Sequence, residues 1–418
     1  MKRDRMRKSF PIAIALIIST TLLLFFLSGC AVNPVTGKRE FHLVKVTEEE
    51  EIDLGRKSYV PIVQQEGGFY RDSNLEAYVQ SVGEKLGKVS HRPNLPYTFR
   101  VLNASVPNAF ALPGGFIVVN RGLLIALSSE GELAAVLGHE IGHATARHSV
   151  AAYQRALGLN LALLGVAVAG GSGATMQLSS IGAGLLQSGF SREQERESDY
   201  LGIDYMVKAK YDPRGAIDLQ EYFFQEFEKG KSSLWIEGLF RTHPFSSERL
   251  ENVKTYSREK YSGALDGKGY VLNEGAYIKK TERLREVQKA YDVYDEGNKL
   301  LGNKQKEEAL KKYLRAIEME PQQAPFYTKA GLVFLIDENE NSAITYLEKA
   351  VKIDPELAEA RVYLGIAQEQ KGECGKAVVH LEKSMDLMPT KTAAKYLGKC
   401  YRKLGDREKA AKYEQMAK

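Results

Sequence analysis

The chain has 418 residues, of which 44% are hydrophobic and 27% charged, a composition typical of globular proteins with room for two or three domains. Its formal net charge is +5, but the first eight residues contain five basic side chains and one acidic one. These eight residues therefore account for most of the positive net charge. The remainder of the chain is close to neutral, so its net charge gives no indication of nucleic-acid binding.

An export signal is predicted at the N-terminus. A basic tip is followed by an apolar run over residues 11–27 and by Leu27-Ser28-Gly29-Cys30, as in secretory signals with a small-residue cleavage site. The last four residues resemble a bacterial lipobox, which implies that residues 1–29 are a lipoprotein signal peptide and that Cys30 is lipidated. The alternative is an uncleaved transmembrane anchor, because the run is near the short end of spanning length.

The residue after Cys30 is Ala31. The resemblance to lipoproteins that lack an aspartate at this position implies the periplasmic face of the outer membrane, if the cell is Gram-negative. We therefore expect an exported protein held at a membrane by a lipid anchor, because several acyl chains hold a protein firmly whereas one holds it weakly.

A small β-sheet is predicted ahead of the middle of the chain. Residues 97–101 alternate like a strand, and residues 109–119 contain two apolar runs around a Pro-Gly turn, which indicates a β-hairpin. An extended edge beside a catalytic centre can bind a peptide through main-chain hydrogen bonds. Ala109, Phe110 and Ala111 are therefore candidate substrate-binding residues, and an ordinary supporting hairpin is the alternative.

A metal-binding array follows in a predicted helix, in the sequence His139-Glu140-Ile141-Gly142-His143. Positions i and i+4 share a helical face, so both imidazoles can bind one metal ion. Glu140 would place its carboxylate beside the metal, where it can take a proton from a bound water. Gly138 and Gly142 each weaken the helix by about 1 kcal/mol, which suits another element packed closely against this face. The alternative is a surface helix with two unrelated histidines.

Residues 156–190 contain no charged side chain, and glycines and serines divide the run in two. Each half is too short to span a bilayer as a helix, so a buried helical hairpin is predicted. A membrane-dipping or mobile lid is the alternative.

The third metal ligand is expected from the acidic segment 191–199. On a helix Glu195 and Asp199 share a face, whereas Glu193 and Glu197 are rotated away from it. Two histidines and a glutamate bind zinc and leave one position open for water. Asp199 would then orient a ligand imidazole. A charged, solvent-exposed helix face is the alternative.

Several motifs together resemble one protein family. They are the His139 to His143 array, the run Asn108 to Gly115, the segment Ser191 to Asp199, Tyr211-Asp212-Pro213 and Thr242-His243-Pro244. In combination they resemble the HtpX-like and BepA-like zinc metallopeptidases, over most of residues 33–254. The resemblance implies a zincin domain that binds one Zn²⁺ through His139, His143 and Glu195, with Glu140 as the base.

The same resemblance implies a role for His243, either as an electrophile near the scissile carbonyl or as a zinc ligand in a resting form, with Arg249 nearby. Ser198 replaces the alanine that is usual before the aspartate, and a small residue still stands there. His148 lies five residues past His143 and points off the ligand face of the predicted helix. We therefore place it at the surface or beside the ligand set.

The C-terminal part is predicted to be a repeat array. Pro321, Pro355 and Pro389 recur every 34 residues, the period of tetratricopeptide repeats. We expect a metallopeptidase domain at 30–262, a glycine-rich linker at 263–285 and repeats at 286–418. The concave faces of such arrays bind segments of protein partners. The alternative is that the array only caps or shields the first domain.

Two cysteines remain, Cys374 in the turn of the third repeat and Cys400 late in the next helix. These positions can be adjacent, and export favours a disulfide bridge. Two buried, unreactive thiols are the alternative.

The combined prediction is a mainly α protein with a small β-sheet, followed by an all-α tetratricopeptide solenoid. We expect an exported zinc endopeptidase that cleaves unfolded or misassembled cell-envelope proteins, with repeats that bind clients or partners. The alternative is a chaperone-like scaffold lipoprotein with little proteolysis. The intact motif around Glu140, together with Glu195, favours catalysis.

Overall fold

A computed structural model describes residues 30–33, 35, 37, 39–41, 46–155, 189–228 and 233–418. The predicted signal peptide, residues 1–29, and nearly all of the uncharged run, residues 156–188, lie outside this part of the chain. Within it, no helix combines the length and the apolar character needed to cross a bilayer.

The N-terminal part is mainly helical. Its strands are β1 Cys30–Val32, β2 Arg39–Phe41, β3 Thr98–Leu102, β4 Ala109–Leu112 and β5 Phe116–Asn120. Its helices are α1 Glu48–Gln65, α2 Ser73–Lys88, α3 Arg121–Ala126, α4 Glu130–Thr145, α5 Arg192–Lys208, α6 Arg214–Glu228, α7 Ser233–Thr242, α8 Ser247–Tyr261 and α9 Glu274–Lys280. A further helical stretch, 148–155, follows the turn after α4.

The central sheet has the strand order β3-β5-β4, with β3 parallel and β4 antiparallel to β5. The predicted hairpin is present, because β4 and β5 are joined by a tight turn at Pro113–Gly115. Gly114 has a φ of 78°, a left-handed conformation that glycine adopts without steric cost. In the strand order given above, β4 is the last strand, so it lies at an edge of the sheet.

Helices α4 and α5 cross at unusually close range. A Cβ atom added to Gly142 would lie 3.0 Å from the Cα atom of Ser198, and one added to Gly202 would lie 2.9 Å from the backbone nitrogen of His139. Such approaches exclude any larger side chain without movement of the backbone. The glycines of the metal-binding helix thus permit the predicted close packing, and the helix that packs against them is α5.

The C-terminal part is a solenoid of paired helices. These helices are α10 Glu282–Gly302, α11 Lys306–Met319, α12 Ala324–Ile336, α13 Glu340–Ile353, α14 Ala358–Gln370, α15 Cys374–Leu387, α16 Lys391–Lys403 and α17 Arg407–Met416. Within a pair, a glycine of the first helix contacts a leucine of the second, as Gly331 does with Leu347 and Gly365 with Leu381. The predicted fold class, a mainly α domain with a small sheet and an all-α solenoid, is confirmed.

The segment predicted as a linker, residues 263–285, is folded against the first domain. Tyr277 of α9 is fully buried and donates a hydrogen bond to the carbonyl oxygen of Leu124. Arg285 donates to the carbonyl oxygens of Ile125 and Leu127, at 2.9 and 2.8 Å. The glycines that indicated a flexible linker instead permit turns between these contacts.

Arg121 joins the two parts of the chain. Its side chain is 1% exposed, and its guanidinium donates to Asn103 at 3.1 Å and to Gln288 of α10 at 2.8 Å. The guanidinium carbon also lies 3.5 Å from the centre of the Tyr291 ring, a cation–π contact. A deletion that begins at Gln288 would remove both the Gln288 side chain that Arg121 binds and the Tyr291 ring that covers the guanidinium, so this interface would be lost.

The N-terminal segment is attached to the end of α4. Asn33 is 2% exposed, and its amide donates to the carbonyl oxygen of Ala146 and to Oε1 of Glu197, both at 3.3 Å. The predicted lipidation site, Cys30, lies three residues before Asn33. It is the first residue of β1, which pairs antiparallel with β2.

Candidate metal centre

Four side chains from three parts of the chain converge on one point. His139 and His143 come from α4, Glu195 comes from α5, and His243 follows α7, and their nearest ligand atoms all lie within 4.8 Å of one another. The Nε2 atoms of the two α4 histidines are 3.0 Å apart, and Glu195 lies 3.5 Å from His139 and 3.4 Å from His143. The Nδ1 atom of His243 lies 3.3 Å from His139 Nε2.

These separations fit one metal ion. Ligand atoms placed tetrahedrally at 2.0 to 2.1 Å from zinc are separated by about 3.4 Å. The observed separations of 3.0 to 3.5 Å lie around that value. Three imidazoles and one carboxylate are also donors that zinc accepts readily. The predicted ligands His139, His143 and Glu195 are therefore brought together as expected.

A second layer of groups orients these ligands. Asp199 accepts a hydrogen bond from Nδ1 of His139 at 2.9 Å, which turns Nε2 toward the centre. Arg249 binds Asp199 through two nitrogens, at 2.9 and 2.7 Å, and approaches Glu195 at 2.6 Å. Asp199 and Arg249 thus lie beside the proposed ligands, as predicted.

The charges at the centre are set by competition between burial and close partners. Burial alone would raise the pKa of Glu195, but Arg249 and the neighbouring histidines outweigh it and hold that pKa well below its usual range. Burial likewise would lower the pKa of His139, but Asp199 and Glu195 raise it to about 10. A metal ion would replace the proton of His139, so its binding releases a proton.

Glu140 lies beside the four ligand atoms without belonging to them. It is 2% exposed, and its Oε2 atom has no hydrogen-bond partner within the described residues. Burial raises the pKa of this carboxyl group, while His243 and His139 lower it to a smaller extent. A buried carboxylate with a free oxygen and increased basicity is suited to accept a proton.

Residues 73–257 match Peptidase family M48. This part of the chain is a family M48 domain. Residues 324–357 match a tetratricopeptide repeat, in agreement with the solenoid described above. The predicted resemblance to zinc metallopeptidases with C-terminal repeats is therefore confirmed.

Several curated relatives of the chain are metalloproteases. The mitochondrial metalloendopeptidase OMA1 of Schizosaccharomyces pombe is 33% identical over 235 residues, which are 54% of this chain and 66% of the relative. The metalloprotease LoiP of Escherichia coli is 34% identical over 38% of this chain and 62% of its own length. The beta-barrel assembly-enhancing protease of Escherichia coli is 25% identical over 50% of this chain and 44% of its own length. The chain thus spans between about half and two thirds of these relatives.

His243 occupies the fourth corner of the ligand set in the M48 domain. Its Nδ1 atom lies 3.1 Å from Glu195, and its Nε2 atom lies 3.3 Å from the carbonyl oxygen of Ala109 and 3.5 Å from Glu140. Of the two roles that the sequence left open, this geometry fits the resting ligand. A catalytic zinc site keeps one position open, whereas four protein ligands close it.

Strand β4 presents its free edge to the centre. Besides the contact of Ala109 with His243, the carbonyl oxygen of Ala111 accepts a hydrogen bond from Ser149 at 2.7 Å. Phe110 departs from the prediction, because its side chain is 3% exposed and packs with Ile62 and Val63 of α1. Backbone N–H and C=O groups alternate between the two edges of a strand, and those of Phe110 point toward β5, so Phe110 supports the strand from the core and does not present a binding group at the free edge.

His148 is the residue whose position the sequence least indicates. It is fully buried, and its Nδ1 atom lies 3.0 Å from Nδ1 of His143, on the side of that ring opposite the ligand atoms. The helix ends at Thr145, and Arg147 then has a φ of 60°. This turn brings His148 back against His143, which excludes the surface position considered from the sequence.

The solenoid contains no bridge between its two cysteines. Cys374 and Cys400 are both buried free thiols. Burial, together with the neighbouring Cys374, raises the pKa of the Cys400 thiol, which makes it unreactive as a nucleophile. The two cysteines are therefore buried free thiols, which was the alternative to the predicted disulfide.

Proposed function

We propose that the chain is a zinc-dependent endopeptidase that is exported and cleaves unfolded or misassembled proteins of the cell envelope. The observation that carries this proposal is the convergence of His139, His143, Glu195 and His243, whose ligand atoms lie within 4.8 Å of one another, with the buried Glu140 carboxylate beside them. The family M48 match and the metalloprotease relatives support the same activity.

The zinc ion would be held by His139, His143 and Glu195. Asp199 would keep the His139 ring in place, and Arg249 would do the same for the Glu195 carboxylate. When bound, zinc supplies Lewis acidity that lowers the pKa of a water and polarises a carbonyl group. Glu140 would take the proton of that water, because its Oε2 atom has no hydrogen-bond partner among the described residues and its Oε1 atom lies 3.5 Å from His243 Nε2.

The closed arrangement indicates that turnover requires a movement of His243. His243 lies 3.3 Å from His139 and 3.1 Å from Glu195, so a metal ion held there would have four protein ligands, whereas a catalytic zinc site keeps one position open for water. A peptide aligned along the edge of β4 would approach the carbonyl oxygen of Ala109, which His243 contacts at present. We therefore expect His243 to leave its corner when a substrate binds, and its imidazole can then stabilise the oxyanion.

The substrate class follows from the binding edge. The carbonyl oxygen of Ala109 faces the centre, where it contacts His243, and main-chain hydrogen bonds of an added strand tolerate many side-chain sequences. Only an extended segment can pair in this way, so unfolded regions are favoured over folded ones. A relative named beta-barrel assembly-enhancing protease supports clients in the cell envelope.

Two further parts of the proposal concern the ends of the chain. A lipid on Cys30 would hold the protein at a membrane, on the periplasmic face of the outer membrane if the cell is Gram-negative. The repeats would bind clients or protein partners, since solenoids of this type present extended concave surfaces. The second candidate function is a scaffold lipoprotein that holds clients with little proteolysis.

The deciding experiment combines metal analysis with digestion of an unfolded protein. We expect about one zinc per chain, cleavage of the unfolded protein, and loss of cleavage after chelation that returns when zinc is added. A zinc-loaded chain that binds an unfolded protein but leaves it intact would support the scaffold. A chain without zinc after purification in zinc-containing buffer would contradict the proposed centre.

A further inference from the structure

A second buried histidine stands directly behind one of the proposed zinc ligands. His148 Nδ1 lies 3.0 Å from His143 Nδ1, and the two rings are inclined at 69° with their centres 5.1 Å apart. Both side chains are fully buried. Burying an imidazole costs free energy unless its polar atoms are used, so this contact calls for a role.

The positions of the nitrogen atoms fix the direction of the hydrogen bond between the two rings. His143 turns Nε2 toward His139 and Glu195, at 3.0 and 3.4 Å, so this atom must be unprotonated to bind a metal ion. A neutral imidazole then carries its proton on Nδ1. His143 therefore donates, and His148 Nδ1 accepts.

Acceptance at Nδ1 places the remaining proton of His148 on Nε2. This atom faces the carboxylate of Glu197 at 3.8 Å and has no closer hydrogen-bond partner among the described residues. Glu197 is itself held by the amide of Asn33 at 3.3 Å. The negative charge stabilises a proton on Nε2 of His148 and so keeps Nδ1 free to accept.

Ser198 is the other polar group near the acceptor atom. Its hydroxyl oxygen lies 3.4 Å from His148 Nδ1, farther than the ring nitrogen of His143. The serine thus competes only weakly for the lone pair. The shorter contact joins His148 to the zinc ligand.

We propose that His148 is a positioning residue for zinc, which holds the His143 ring in place and fixes the tautomer whose Nε2 atom faces the metal. The inference rests on the proposed zinc centre. Groups that bind the second nitrogen of a ligand histidine typically change metal affinity by about 10- to 100-fold when they are removed. In this chain a histidine takes the place of the usual carboxylate or carbonyl acceptor.

The test compares substitutions that keep or remove an acceptor at the position of Nδ1. In His148→Asn the side-chain oxygen can occupy that position, whereas His148→Leu has no acceptor and His148→Gln places its amide near the position of Nε2. Zinc affinity is measured on each full-length chain by competition with a chelator of known affinity. We expect a loss of about 10- to 100-fold for His148→Leu and His148→Gln, and a substantially smaller loss for His148→Asn.

Ser149→Ala is the matched control. Ser149 is the next residue, it is 4% exposed, and its hydroxyl binds the carbonyl oxygen of Ala111 without contacting a proposed ligand. Its replacement removes a buried hydrogen bond from the same stretch and should leave zinc affinity unchanged. Thermal unfolding of the zinc-free chains shows whether a variant has lost its fold.

A spectroscopic measurement separates positioning from packing. Co²⁺ bound in place of zinc has visible absorption bands that report the coordination geometry, and we expect His148→Gln to alter them while His148→Asn preserves them. If His148→Leu does not fold, the comparison of the two amides decides alone. Equal zinc affinities in His148→Asn and His148→Gln, or an unchanged affinity in a folded His148→Leu, would overturn the inference. Failure of the unsubstituted chain to bind zinc would instead refute the zinc centre itself.

Discussion

Replacing Glu140 by glutamine removes the proposed base and leaves every proposed zinc ligand in place. No atom of Glu140 belongs to the ligand set, and its contact with that set is a 3.5 Å approach to His243 Nε2. Glutamine has almost the same shape, so the buried site need not rearrange. Zinc content should therefore stay at that of the unsubstituted chain.

Catalysis should respond very differently. Glu140 is buried, its Oε2 atom is free within the described residues, and burial raises the pKa of its carboxyl group, all of which suit proton transfer. General base catalysis contributes about 10²- to 10⁴-fold to a rate. At about 1.4 kcal/mol for each factor of ten, Glu140→Gln should raise the activation free energy by roughly 3 to 5 kcal/mol.

The assay measures kcat on a short fluorogenic peptide and zinc content on the same preparation. Glu132→Gln is the matched control, because Glu132 is another buried carboxylate of α4 and accepts a hydrogen bond from the backbone of Ser128, away from the centre. It should leave kcat close to that of the unsubstituted chain. Undiminished turnover in Glu140→Gln, or loss of its zinc, would refute the role assigned to this residue.

Four further predictions concern other parts of the molecule. Glu195→Ala should release zinc in a metal titration, because its carboxylate belongs to the ligand set, whereas Glu197→Ala should still bind one zinc with an affinity lowered only through the contact of Glu197 with His148; the reverse result would relocate the third ligand. Gly202→Ala would place a Cβ 2.9 Å from the backbone of the metal-binding helix, so both the unfolding temperature and zinc affinity should fall, and unchanged values would show that the crossing has room. Cys30→Ser should abolish lipid attachment, and a variant that still sediments with membranes after signal cleavage would contradict the anchor. Truncation after Gln323 keeps the first helix pair and should spare short-peptide cleavage while slowing that of a large client, since tethering raises local concentration; an equal rise on both substrates would show that the repeats act as a lid.

The parts of the site that lie on regular helices could be predicted from the sequence. His139, His143, Glu195 and Asp199 are related by four-residue intervals within α4 and α5, where a fixed rotation per residue determines which side chains share a face. The repeat array was equally accessible, because its period recurs several times.

His148 could not be placed by the same rule. The rotation per residue holds only while the helix continues, and α4 ends at Thr145, before the left-handed conformation of Arg147 redirects the chain. An arginine carries no preference for that conformation, so nothing in the local sequence marks the turn. The five-residue interval from His143 therefore gave no indication of the ring contact.

Contacts between distant segments were hidden for a related reason. Arg121 is buried through partners such as Gln288 and Tyr291, which follow it by more than 160 residues. A pattern within a short window cannot show that a charged side chain will be covered from so far along the chain. The residues predicted as a linker are likewise held by distant partners, since Tyr277 and Arg285 bind carbonyl oxygens of residues 124–127.

The contact of Asn33 with the end of the metal-binding helix limits how far the enzyme can move from a surface that holds Cys30. Three residues span at most about 11 Å even when fully extended. The amide of Asn33 is hydrogen-bonded to Ala146 and Glu197, so those three residues are all the slack that is available.

A flexible tether of 20 residues, by comparison, has a root-mean-square length of about 25 Å and lets a domain sample a wide volume. With the proposed lipid on Cys30, the catalytic helix would instead stay close to the bilayer. Clients would then be cut only where their unfolded segments emerge next to the membrane, so the anchor would act as a spatial filter on substrates.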